Sequence, residues 1–553
     1  MSAFTKVNAL RPGRSLFNLS YQKQFDCDFG ELIPVMLEEM VPGDTFKLGN
    51  EIVVRFHPLN APVLAEVNAY VHYFFVPTRL IFDDWEKFIT GGEDGQDATL
   101  LPRTYRDMVL PDGSQSTASD FCGKYSLYDY FGFPIIGDSV SGYSYPGEGA
   151  TSPSSPGYFF RPLSFPWYVY NLCWNEFYRD ETLQDEVPLG NVKVLHRNWN
   201  KDYFTSALPW QQRGVAPALP LSGTGSAVWS QDYYLPVNVG SSSESNTDPT
   251  RLRSSNPSAS ENQNVVVGGS SYGGYLASVN LSKSLLDSNS IDMSNVATFD
   301  VSDLRLAFQV QKWMERNARS GVRYTEFLHA HYGVSPRDDR LQRPEYLGGS
   351  KSPVLISEVV QTSESGTTPQ GTLKGKGITA DKNFICSYTA KEFGYIIGIF
   401  SVMPKPGYFQ GVDRKWLRSS RFDFFTPEFG HLSEQAVTTE ELYALSGTSN
   451  QSGIGNDTIF GYQARFNEMR QNHDVFCGDL RPNGTLGYWN LGRYFDSVPQ
   501  LNSDFITMNA SNDHLKRIFA VQDVKGMVVN FANIITAIRP IPKFGEPGLI
   551  DHN

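Results

Sequence analysis

Apolar residues in this chain alternate with a period of two in short runs, and the runs lie far apart in sequence. In VNAYVHYFFV (67–76), Val67, Ala69, Val71, Tyr73 and Phe75 share one face, with mainly polar or aromatic residues opposite. In EIVVRFH (51–57), Ile52, Val54 and Phe56 alternate with Val53, Arg55 and His57. Similar runs recur at PVLISEVVQT (353–362), FICSYTA (384–390), GYIIGIFSVMP (394–404) and GMVVNFANIITAI (526–538). No strand–helix–strand rhythm links them. Short strands so widely spaced predict an antiparallel sandwich or jelly roll carrying long insertions.

Composition agrees. Aromatic residues make up 13% of the chain, with 48 Gly and 33 Pro, which favours strands and irregular connections over helical bundles. Turn chemistry at VPGD (41–44) and prolines at 58, 62 and 77 bound the first strands. Two helices are expected. LIFDDWEKFITGG (80–92) has Asp83 near its start and Gly91 past its end, and WYVYNLCWNEFYRDE (167–181) is thick with packing aromatics.

Three regions follow from this organisation. Residues 1–30 read as a basic N-terminal arm, with no acidic residue before Asp26, and 31–553 as one sandwich domain with long insertions. Residues 222–300 are Ser/Gly/Asn-rich, lack the apolar side chains for a core, and read as an exposed insertion. The segment 91–160 is long, polar and rich in Gly, Pro and Tyr, so packing on something else must order it.

A formal charge of −12 excludes a protein that coats nucleic acid over its whole surface, but leaves room for a local basic patch. Five scattered cysteines without a CxxC pair read as reduced thiols of a cytoplasmic product. The N-terminus lacks a signal-peptide pattern, and the most apolar run, 393–403, is too short to span a membrane.

Catalytic signatures are broken or missing. GTLKGKG (371–377) is one residue short of a phosphate loop, and Lys376 is followed by Gly377 rather than Ser or Thr. His329 and His331 would not converge on one metal from a helix, and Asp338 and Asp339 sit among arginines that pair with them. No catalytic residue, cofactor or metal site is expected.

Two basic features remain. Arg305, Lys312, Arg316, Arg319 and Arg323 recur at helical spacing, while Leu306, Val310, Trp313 and Met314 form a separate face for docking on a core. That stripe is either a nucleic-acid contact, a partner contact or a solvated, ion-paired face. In the arm, Lys6, Arg11, Arg14 and Lys23 suit polyanion contact, the alternative being an ordinary frayed terminus with incidental charge.

Five blocks in order, VPTRLIFDDWEKFITGG (76–92), VQKWMERNARSGVRYTEFLHAHYGV (310–334), RPEYLGGS (343–350), FGYIIGIFSVMPKPGYFQG (393–411) and GYQARFNEMR (461–470), resemble the major capsid protein of the Microviridae, in particular its gokushovirus branch. The resemblance covers nearly the whole chain and is weakest over 222–300. It implies an eight-stranded viral jelly roll, self-assembled as sixty copies in a T=1 shell around a circular single-stranded DNA genome. It further implies a small basic DNA-binding protein, an internal scaffolding protein and a pilot protein as partners. Assembly would take place in the bacterial host cytoplasm. The 222–300 insertion would be a surface protrusion meeting the host, with Tyr233, Tyr234, Tyr272 and Tyr275 as candidate contacts or as trimer packing. Sixty chains at −12 amount to roughly −700 charges, so cations must be segregated toward the genome or supplied separately. A carbohydrate-binding spike protein and a glycan-acting enzyme stay open as alternatives. The first predicts a fibre or trimer, and the second needs paired carboxylates about 5–10 Å apart in a cleft.

Overall fold

A computed structural model describes residues 13–92, 97–104, 108–114, 116, 121, 123–134, 162–217, 233–235, 279–281, 301–320, 323–360, 373–432, 434–446 and 454–543. Ten strands build two antiparallel sheets: β1 (Ser15–Asn18), β2 (Tyr21–Cys27), β3 (Ile33–Met40), β4 (Thr45–Phe56), β5 (Val67–Pro77), β6 (Glu345–Pro353), β7 (Leu355–Val360), β8 (Leu373–Thr389), β9 (Gly394–Pro404) and β10 (Met527–Arg539). The first sheet runs β1-β10-β4-β8-β7, with β2 also pairing β10, and the second runs β3-β9-β5-β6.

Setting aside β1 and β7, the order β2-β10-β4-β8 lies against β3-β9-β5-β6, and the chain changes sheet at each step except from β5 to β6. This is the eight-stranded jelly-roll order that the family resemblance implies, and it falls within the antiparallel sandwich or jelly roll expected from the spacing of the runs. Its interior is one apolar cluster drawing Val67, Val71 and Phe75 from one sheet and Ile52, Val54 and Phe531 from the other. The long insertions fall between β5 and β6, at 78–344, and between β9 and β10, at 405–526.

The outer face of β5, expected to be mainly polar or aromatic, is covered at its end. Phe74 and Val76 are buried in a second apolar cluster with Ile397 and Ile399 of β9 and the aromatics Phe165, Trp167 and Tyr170. A strand covered on both sides has no reason to alternate, which is why 394–404 reads as a continuous apolar run.

Four helices matter here: α1 (Trp85–Thr90), α2 (Phe165–Phe177), α3 (Val301–Ser320) and α4 (Tyr324–Tyr332). Helix α1 starts after Asp84, one residue later than expected, and closes on Gly91 with φ 79°, a left-handed angle that glycine adopts without steric cost.

The basic arm is also corrected. Residues 15–27, assigned to it from charge, form β1 and β2 of the first sheet, with Leu16 opposite Ile538 and Phe25 opposite Val529. Leu19 and Phe25 pack on the sandwich core, and that burial, together with a complete ladder on β10, outweighs the local charge. The chain divides into two compact units: Met1–Arg213 with Glu315–Asn553, and Gly214–Met314, the latter containing the expected insertion. Within the second unit Tyr233–Leu235 pairs with Val279–Leu281.

Candidate subunit and nucleic-acid surfaces

The five-residue stripe does not lie on one helix. Helix α3 ends at Ser320, directly before Gly321, and Arg323 instead precedes α4, where its backbone N–H donates to Glu326 Oε2 at 3.2 Å. Of the apolar face expected to dock, Leu306 is 63% and Trp313 50% exposed, while Val310 and Met314 are half-buried.

The cations divide into two kinds. Arg305, Lys312 and Arg316 are exposed. Arg323 is turned inward: its Nε lies 2.7 Å from Glu181 Oε1, and its Nη2 donates to the carbonyls of Asn175 at 2.9 Å and Arg179 at 3.4 Å. The Asn175 carbonyl lies in the last turn of α2 and Arg179 follows just past its end, so the cation satisfies an orphan acceptor and complements the helix dipole. Arg319 pairs with Glu434, whose carboxyl is pushed up by burial against the downward pull of that guanidinium. A cavity of about 430 Å³ opens beside this group, with Arg179, Lys201, Arg319 and Arg323 facing Asp180, Glu181 and Glu326. Its mixed charge suits internal pairing better than a polyanion.

In the N-terminal set, Lys6 and Arg11 lie outside the described residues, and Arg14 is exposed just before β1. Lys23 is a correction. Its ammonium donates to the Pro34 carbonyl at 2.6 Å and to the Tyr130 carbonyl, and burial lowers its pKa to about 8. A side chain spent on two internal carbonyls is a fold contact, not a phosphate contact. Of the four tyrosines, Tyr233 and Tyr234 are described only as backbone of the Tyr233–Leu235 strand, and Tyr272 and Tyr275 lie outside the described residues. His331 takes Asn317 Oδ1 as partner at 2.6 Å while His329 is exposed, and among the described residues no cluster has the makings of a metal site.

Sequence reasoning missed a surface in the β9–β10 connection. Trp416 is 77% exposed, and Phe422, Phe424 and Phe425 are each about half exposed. Guanidinium groups cover two of these rings, Arg418 at 5.1 Å from Phe424 and Arg421 at 4.9 Å from Phe422. Much of the nearby charge is already used: Arg414 lies 2.6 Å from buried Glu441, and Arg418 lies 3.6 Å from buried Glu468. Exposed aromatics beside neutralised arginines have the composition of a protein–protein contact. The readable signal was KWLRSSRFDFF (415–425), where aromatics cluster without an alternating or helical period.

The family model for the capsid protein (F protein) of phages matches residues 5–549. The chain is 32% identical to capsid protein VP1 of Chlamydia phage 1, over 99% of this chain and 97% of that protein. It is 30% identical to capsid protein VP1 of Bdellovibrio phage phiMH2K, over 99% and 97% respectively. Against capsid protein VP1 of Spiroplasma virus 4 the identity is 27%, over 97% and 95%.

Proposed function

The chain belongs to the phage capsid F-protein family, and from that premise we propose that it forms a T=1 icosahedral shell of sixty copies around a circular single-stranded DNA genome. Members of this family are structural proteins of the virion that self-assemble into a shell. The observation that carries the finer reading is a match running from residue 5 to 549 over a chain whose eight principal strands take jelly-roll order.

Within that reading, the surface around Trp416, Phe422, Phe424 and Phe425 is a contact between copies, since burying it on assembly removes apolar area from water at little cost in unpaired charge. Exposed Arg305, Lys312 and Arg316 are rim contacts to a neighbouring subunit first and to the genome second. The insertion at 222–300 serves host attachment, with Tyr233, Tyr234, Tyr272 and Tyr275 as candidate contacts. A small basic DNA-binding protein offsets genome charge that an acidic shell cannot, and scaffolding and pilot proteins act during assembly in the host cytoplasm.

Negative-stain microscopy of purified particles, with nuclease typing of the extracted nucleic acid, tests the reading. Uniform spheres holding DNA cut by a single-strand nuclease and spared by a double-strand one support it. Fibres, isolated trimers or duplex contents overturn it.

A further inference from the structure

Directly opposed residues in an antiparallel ladder point to the same side, so the outward face of the first sheet can be read from its register. Arg55 stands beside Val528 and Ile378, Glu51 beside Lys382, and Lys47 beside Ser387. Continuing outward, Lys376 lies opposite Ser357 and Lys374 opposite Val359. One sheet face thus gathers five exposed cations, Lys47, Arg55, Lys374, Lys376 and Lys382. Among the described residues the carboxylates on it are Asp26 and Glu51, and Glu51 is taken up by Lys382. In a chain of formal charge −12, that is a marked local excess of positive charge.

The same face carries an aromatic ring that the core does not need. Phe384 continues the outward alternation of Ala380 and Lys382 on β8, opposite Gly49 and 72% exposed, and the register with β4 slips only beyond it, before Cys386. An aromatic ring beside a glycine on a cationic sheet face offers a stacking platform. The uncharged amides Gln22 and Gln24 extend the face along β2 with donors and acceptors for base edges.

We propose that this face binds single-stranded DNA, with Lys47, Arg55, Lys374 and Lys376 on phosphates and Phe384 stacked on a base. The proposal rests on the reading of a shell enclosing a single-stranded genome and adds a sheet to whatever contact Arg11 and Arg14 make from the N-terminal segment. Duplex DNA fits less well, because its bases are already stacked and offer Phe384 no face. A second copy seated on the exposed edge strand β7 is the rival occupant.

The test is fluorescence anisotropy of a labelled thirty-nucleotide oligo(dT) and of a duplex of equal length, titrated with the full-length subunit across a range of salt. The wild type should prefer the single strand. Lys47→Ala/Lys374→Ala/Lys376→Ala should lower affinity at least tenfold at low salt and reduce the slope of log K against log salt by about 2. Phe384→Ala should lose about tenfold with the slope unchanged, and Phe384→Tyr should restore it. Wild-type binding in both variants overturns the proposal. So does normal oligonucleotide binding by a triple variant that no longer assembles, which would make the face a subunit contact. Wild-type shells devoid of single-stranded DNA would instead sink the functional reading, separately from the behaviour of these variants.

Discussion

Arg323 Nε stands 2.7 Å from Glu181 Oε1, and the same guanidinium donates to the carbonyls of Asn175, in the last turn of α2, and Arg179, just past its end. One side chain thereby ties the approach to α4 to the aromatic helix that covers β5 and β9. Arg323→Ala leaves a half-buried carboxylate and two carbonyls short of a partner, and should cost about 2–3 kcal/mol in denaturant unfolding of the subunit. Arg323→Lys keeps the charge but loses the planar fork, and should recover only part of that loss.

His72 Nδ1 lies 2.9 Å from the Tyr178 hydroxyl, and burial, with Arg197 nearby, lowers its pKa to about 4 from the ordinary 6.5. The unfolded chain therefore takes up this proton first. The stabilising contribution is complete above pH 6.5 and is lost as pH falls through 4, amounting to about 3 kcal/mol. His72→Gln should flatten the fall in melting temperature between pH 6.5 and 4. An unchanged acid profile in that variant would assign the loss to other groups.

Lys23 and Arg14 separate fold from genome contact. Lys23→Ala removes a donor from the Pro34 and Tyr130 carbonyls and should lower subunit stability by about 1–3 kcal/mol. Arg11→Ala with Arg14→Ala should leave subunit melting unchanged and instead reduce DNA retained per particle as salt is raised. Normal retention in that double variant would rule the N-terminal segment out as a genome contact.

Trp416 is so exposed that Trp416→Ala should change the melting of the isolated subunit by less than about 0.5 kcal/mol. If the surrounding surface joins copies, the same change should raise the concentration needed for assembly at least tenfold, read by light scattering. Deleting 240–290 should have the opposite profile, giving intact particles that adsorb poorly to host cells. Failure of that deletion to assemble would remove attachment as the sole role of the insertion.

The inward face of β5 was legible because Val67, Val71 and Phe75 recur at period two, and that face is the sandwich core. The burial of Phe74 and Val76 was not, because the helix covering them follows far along the chain and period-two reasoning sees one strand at a time. Charge misled at Lys23 for a related reason: composition records a cation but not the two carbonyls that the fold brings to it. The break in the basic stripe was half visible, since Gly321 stands where α3 ends, although the spacing continues through it. GTLKGKG illustrates the remainder. It fails as a phosphate loop, yet Lys374 and Lys376 alternate with glycines as strand residues do, and only the register with β7 and β4 shows which cations join them.

The most direct measurement is the mass of the assembled particle. Sixty subunits of 61.9 kDa come to about 3.7 MDa for an empty shell, and charge-detection mass spectrometry of nuclease-treated, DNA-free particles should find that value as one narrow peak. A ladder of masses from open polymers, or a species no larger than a trimer, would contradict a closed shell of sixty copies.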